Sequence, residues 1–244
     1  MPRLLNPRNT LLTVALLALV SLAHGTAKAD PISVCTGPGC STTNVSGTIV
    51  AGNGTVTITL NNDLSQAQVV SVIQNISGVY FQVSGYTLGA VSLSGSSATN
   101  STNISNTNVA TPGGAVSPTG WGAGHDGALI SVCVVCSGSF GAGPTAGPEQ
   151  TIIGGTGSGL YPGANGSIAG NNPHNPFLTG TVTFTLVVPG VTVNSTFSNV
   201  VIQFGTEATP PTPNETQVPE PASMLLLGTG LAGAAGAYRR RRRK

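Results

Sequence analysis

Thr55-Val56-Thr57-Ile58-Thr59-Leu60 alternates strictly between threonine and a branched aliphatic residue. Side chains on a β-strand point to opposite faces at every step, so Val56, Ile58 and Leu60 share one face and the threonines the other. Residues 181–188 repeat the pattern, with Val182, Phe184, Leu186 and Val188 on the apolar side. Such strands belong to an antiparallel sheet with one face buried and one wet. Further strands are predicted at 45–50, 68–73, 78–83, 86–93, 129–135, 191–197 and 199–204. Gly52-Asn53-Gly54, Asn61-Asn62-Asp63, Ser84-Gly85 and Pro189-Gly190 supply turns between them. No helical period occurs between the two ends of the chain, apart from room for one turn near 63–68. The fold class is all-β, an antiparallel β-sandwich or jelly-roll-like domain over residues 30–207.

Two long segments, 95–127 and 137–177, are rich in Ser, Thr, Asn, Gly and Pro and are expected as irregular loops. Loops of that length are usually either functional or disordered, and these are the places to look for a binding surface. Residues 208–217 carry Pro210, Pro211 and Pro213 and read as an extended linker.

Charge narrows the function. All nine Lys and Arg residues fall at positions 3, 8, 28 and 239–244, so none lies between Asp30 and Tyr238. That body holds only acids and lacks the cations that neutralise a phosphate backbone, which argues against nucleic acid as a partner. Gly122-Ala123-Gly124-His125-Asp126-Gly127 matches a dinucleotide fingerprint only formally. The strand and helix that such a loop must join are not visible around it.

Cys35 and Cys40 flank Thr-Gly-Pro-Gly, and Cys133 and Cys136 flank Val-Val. In an exported chain, cysteines so spaced are disulfide candidates, with three pairings open. The Gly-Pro-Gly turn makes a Cys35–Cys40 bridge sterically reasonable. Residues three apart on an extended strand face opposite ways, so Cys133 and Cys136 bond each other only if the strand breaks near Val135. A four-cysteine zinc site is the competing arrangement. His125-Asp126 and His174, with Glu149, are the residues from which a metal or general-base site would be built. Nucleophile elbows and paired carboxylates are not evident, so no catalytic residue, cofactor or metal is assigned. Trp121 and Tyr161 are candidates for stacking on sugar rings.

Both ends of the chain read as membrane traffic signals. Arg3 and Arg8, an apolar run at 11–22 and Ala27-Lys28-Ala29 describe a secretory signal peptide over 1–29, with cleavage at Ala27 and Ala29 by signal peptidase after passage through the general secretion machinery. At the other end, Pro219-Glu220-Pro221 precedes an uncharged run at about 222–238, just long enough to cross a hydrocarbon core that needs about 17–25 residues. Arg239, Arg240, Arg241, Arg242, Arg243 and Lys244 follow as a basic stop that stays cytoplasmic and leaves the domain outside.

The order Pro-Glu-Pro, apolar span and basic end over 218–244 closely resembles the PEP-CTERM sorting domain of Gram-negative envelope proteins. The resemblance implies an exosortase, a membrane-embedded enzyme that recognises and cuts such tails, as a partner. The expected protein is therefore an exported cell-surface or matrix protein. It is structural or exopolysaccharide-associated and not an enzyme. The alternative is a secreted hydrolase, or a metal- or glycan-binding domain, using the loops around His125 and His174.

Overall fold

The protein's structure is a computed structural model that describes residues 27–136 and 149–206. Eleven strands are present there: β1 (Ala29–Thr36), β2 (Thr43–Ala51), β3 (Thr55–Asn62), β4 (Ile76–Val83), β5 (Ser92–Ile104), β6 (Val109–Val116), β7 (Gly122–Asp126), β8 (Leu129–Cys133), β9 (Gly159–Leu160), β10 (Phe177–Val187) and β11 (Phe197–Phe204). They form a seven-stranded sheet, β1-β2-β3-β10-β5-β6-β9, and a four-stranded sheet, β11-β4-β8-β7. All named pairings are antiparallel.

The two alternating stretches find each other. Strands β3 and β10, far apart in sequence, pair with Val182 opposite Leu60, Phe184 opposite Ile58 and Leu186 opposite Val56. These six side chains are fully buried. They meet Val79 and Phe81 of β4 and Ile130 and Val132 of β8 in one core between the sheets. Each such burial contributes about 1.5–3 kcal/mol. Ile152 links the sheets, bridging antiparallel to Ile76 and parallel to Leu178.

Gly47 shows how closely β2 sits on β3. It lies opposite Leu60, and a Cβ there would strike the Thr59 carbonyl and come within 3.2 Å of the Leu60 side chain. Gly47→Ala is expected to cost about 1–3 kcal/mol through forced displacement of the strand. Thermal unfolding would show it as a drop of about 2–4 °C per kcal/mol.

On the outer side of the four-stranded sheet, Tyr80 is buried with Val201, beside Leu129 and Cys136, and donates its hydroxyl to Gln203 Oε1 at 2.9 Å. Burial pushes its phenol up to about 12. Tyr161 shifts the same way, because desolvation outweighs the lowering effect of its bond from Gly157 N–H. The unfolded phenols ionise near 10. Between pH 10 and 12 the unfolded chain therefore sheds protons that the native Tyr80 keeps, and stability falls as pH rises. Urea titrations across that window are expected to show the fall, with a smaller slope in Tyr80→Phe.

Three expected strands are absent, each for a local reason. Residues 68–73 instead lead into a 3-10 turn at Val72–Gln74, where Ser71 and Gln74 cap each other's backbone. Gln74 Oε1 also accepts from Val70 N–H at 2.6 Å, so side-chain bonds displace strand pairing. The single turn expected near 63–68 is present as Ser65 C=O accepting from Gln68 and Val69. In 86–93, Tyr86 closes a loop by donating its hydroxyl to Gly89 C=O, and pairing begins only at Ser92. In 191–197, Thr192 and Ser195 bond reciprocally and make a turn.

The reverse correction applies to 95–127, expected as a loop. It holds most of β5 and all of β6 and β7. The segment 149–176 has only the two-residue β9, but it is packed. Ile153, Tyr161 and Ile168 join Leu64, Val69, Val72, Ile104 and Phe177 in a second apolar cluster at one end of the sandwich. Among the described residues no helix is long and apolar enough to cross a membrane. The expected signal core at 11–22, the linker at 208–217 and the span at 222–238 lie outside the described residues.

Candidate functional site

The second cluster carries a surface cleft of about 430 Å³ where the two polar segments meet. Asn103, Ile104, Ser105, Asn106 and Thr111 line it from the β5–β6 hairpin, and Gly170, Asn172 and Asn175 from the facing turn. Ile104, 1 % exposed, anchors the floor in the cluster below. Asn175 clamps the two walls together: its Oδ1 accepts from Ile104 N–H at 2.9 Å, and its Nδ2 donates to the Ile104 and Asn171 carbonyls. Gly170, at φ +65°, lies so close to Asn106 that a Cβ would come within 2.9 Å of that side chain and 3.0 Å of its Cα. Only glycine adopts this backbone readily, and it lets the turn approach the hairpin this closely at Asn106. The side chains of Asn103, Asn106, Thr111 and Asn172 are exposed or rim-lying and make no hydrogen bond within the described residues.

A second polar surface is the outer face of the seven-stranded sheet. Thr48, Thr59, Thr183 and Ser97 stand opposite one another across four strands, with Val50, Thr57 and Thr185 forming the adjacent row. No charged residue occurs in either row.

The histidines do not converge. His125 on β7 stacks edge-on against Tyr86 at 5.7 Å, with Nδ1 3.3 Å from Gly127 C=O. His174 places Nδ1 2.6 Å from Ser167 C=O, in the turn beside the cleft. Among the described residues no three of His, Cys, Asp and Glu come together in a way that would hold a metal ion. The Gly122–Gly127 segment is β7 and the tight turn into β8, not a strand-to-helix loop.

Trp121 and Tyr161 correct an expectation, because neither ring is available to a sugar. Trp121 is 5 % exposed, lies against Phe184 at 4.5 Å and donates its indole N–H to Gln150 C=O at 2.9 Å. Tyr161 is fully buried, donating its hydroxyl to Gly154 C=O at 2.9 Å and accepting from Gly157 N–H at 3.2 Å. In a chain this poor in aromatics, large rings fill the core.

The cysteines pair locally. Cys35–Cys40 closes the Gly-Pro-Gly loop at the end of β1, with Cα atoms 4.8 Å apart. Cys133–Cys136 forms because β8 stops at Cys133 and the chain bends through Val134 and Val135, bringing the Cα atoms to 5.7 Å. With every described cysteine in a disulfide, the four-thiolate zinc arrangement does not form.

Ala27 is exposed ahead of the first strand, and Ala29 opens β1, so the expected cleavage point sits at the boundary of the folded body. Pro219, Glu220, Pro221 and Arg239 through Lys244 lie outside the described residues. A PEP-CTERM protein-sorting motif is detected over residues 217–243. It marks an exported protein whose membrane-anchored precursor is sorted and processed by exosortase. No curated protein and no solved structure matches the chain.

Proposed function

We propose that this chain is a non-enzymatic surface or matrix protein of a Gram-negative envelope, whose domain at 30–207 associates with the exopolysaccharide layer after exosortase has removed its tail. Export begins with the signal peptide at 1–29. Cleavage after Ala29 leaves all but one residue of β1 paired to β2, so the mature fold keeps its edge strand. The linker at 208–217 then holds the domain off the membrane until the precursor is cut.

The observation that carries the matrix reading is the uncharged outer face built on Thr48, Thr57, Thr59, Thr183 and Thr185. Their hydroxyls both donate and accept, and no cation or carboxylate among them selects for an ionic partner. Such a face hydrogen-bonds neutral polymer and repels neither water nor sugar.

The test is fractionation of cells that make exosortase, with and without an intact polysaccharide layer. The processed protein is expected in the polysaccharide fraction of the first strain and in the culture medium of the second. Equal retention in both would overturn the association with polysaccharide while leaving export and sorting in place.

A further inference from the structure

We propose that the cleft between the β5–β6 hairpin and the turn at 170–175 is a subsite for a neutral hexose unit of a polysaccharide. The proposal rests on the matrix reading above and gives it a specific site. The volume of about 430 Å³ lies in the range of small-ligand pockets. Asn103, Asn106, Asn172 and Thr111 line it, and their three carboxamides and one hydroxyl have no hydrogen-bond partner among the described residues.

Each amide offers both donors and an acceptor, which suits the vicinal hydroxyls of a sugar ring. None of the lining residues is acidic or basic, so a uronate or sulfated unit finds no counter-ion and a metal ion finds no carboxylate. The site lacks the apolar pockets that would take peptide side chains. Its walls are also held before a ligand arrives. Asn175 joins them, Ile104 roots the hairpin in the buried cluster, and Gly170 sets the spacing to Asn106. The backbone frame is thus set in advance, while the exposed amides are ordered only by the ligand, which keeps such a sugar site weak.

The experiment is an NMR titration of isotope-labelled processed protein with cellotetraose, maltotetraose and mannotetraose, using tetragalacturonate as the charged comparison. At least one neutral tetrasaccharide is expected to move the side-chain amide signals of Asn103, Asn106 and Asn172, and tetragalacturonate to leave them in place. Asn106→Ala and Asn172→Ala should each weaken binding about three- to tenfold, the weight of one net hydrogen bond, with unchanged melting temperature. Ser198→Ala, exposed on β11 of the other sheet and in neither polar surface, should not change this binding.

Three results would overturn the proposal: no movement of these amides with any neutral probe up to about 10 mM, equal movement with tetragalacturonate, or movement confined to the sheet face. The cellular arm separates this failure from failure of the matrix reading. If the Asn106→Ala/Asn172→Ala protein no longer binds oligosaccharide yet stays in the polysaccharide fraction, retention comes from elsewhere. If the unaltered protein is not retained at all, the matrix reading falls first.

Discussion

Trp121→Ala is expected to lower stability by about 3–5 kcal/mol, the cost of emptying a large aromatic site in a core. The indole is 5 % exposed, packs on Phe184 across the sandwich and gives its N–H to Gln150 C=O. Alanine opens a cavity between the two sheets and leaves that carbonyl without its donor. Against a total stability of order 5–15 kcal/mol, the loss takes a large part of what holds the domain together. Urea unfolding followed by far-ultraviolet circular dichroism would read it directly. Trp121→Phe separates the two contributions, since it keeps a ring near Phe184 while removing the N–H bond and only part of the volume. Its net cost should be nearer 1 kcal/mol plus the smaller volume loss. If Trp121→Ala left stability unchanged but abolished retention on glycan, the ring would be a surface platform and the buried position assigned to it would be wrong.

The same residue shows where sequence reading stopped. A lone tryptophan in a glycine-rich stretch looks like a loop residue, because nothing nearby repeats with period two. Its partner, Phe184, is visible as a core residue from the alternation at 181–188, but the pairing of the two is set by long-range topology. The β3–β10 face was legible for the opposite reason, since six alternating aliphatic and aromatic residues leave only one way to turn. Strand β5 was not. Only Ala98, Thr102 and Ile104 along it are buried, and its order comes from backbone pairing to β10 on one side and β6 on the other. A central strand satisfied along both edges does not need an apolar face of its own.

The cleft was half legible. Segments 95–127 and 137–177 are the polar stretches that composition sets apart, and residues from both line the cleft. What composition alone does not reveal is that Ile104 and Ile168 are core residues embedded in polar sequence, and that they fix the walls. The disulfides follow the same logic. Cys35–Cys40 is dictated by a local turn, whereas Cys133–Cys136 depends on where β8 ends, and β8 ends where the chain bends at Val134.

Replacing Pro219, Glu220 and Pro221 together by alanine is expected to abolish exosortase processing while leaving export and membrane insertion intact. Proline fixes φ and has no backbone donor, so Pro219 and Pro221 restrict the chain on either side of the one carboxylate, Glu220. Alanine restores helix-forming freedom directly before an apolar run and erases the charge. The run at about 222–238 and the basic residues Arg239 to Lys244 are untouched, so the precursor is expected to stay with the membrane fraction. Intact mass of the membrane fraction reads the result, with the unaltered chain losing its tail only when exosortase is present and the triple variant keeping it. Glu220→Gln divides shape from charge. It preserves the flanking prolines and should slow processing about ten- to a hundredfold if the carboxylate accepts a charge-assisted hydrogen bond in the enzyme. Unchanged processing of the triple variant would mean that the enzyme reads the span and the basic end alone. The Pro-Glu-Pro would then be only the exit of the linker.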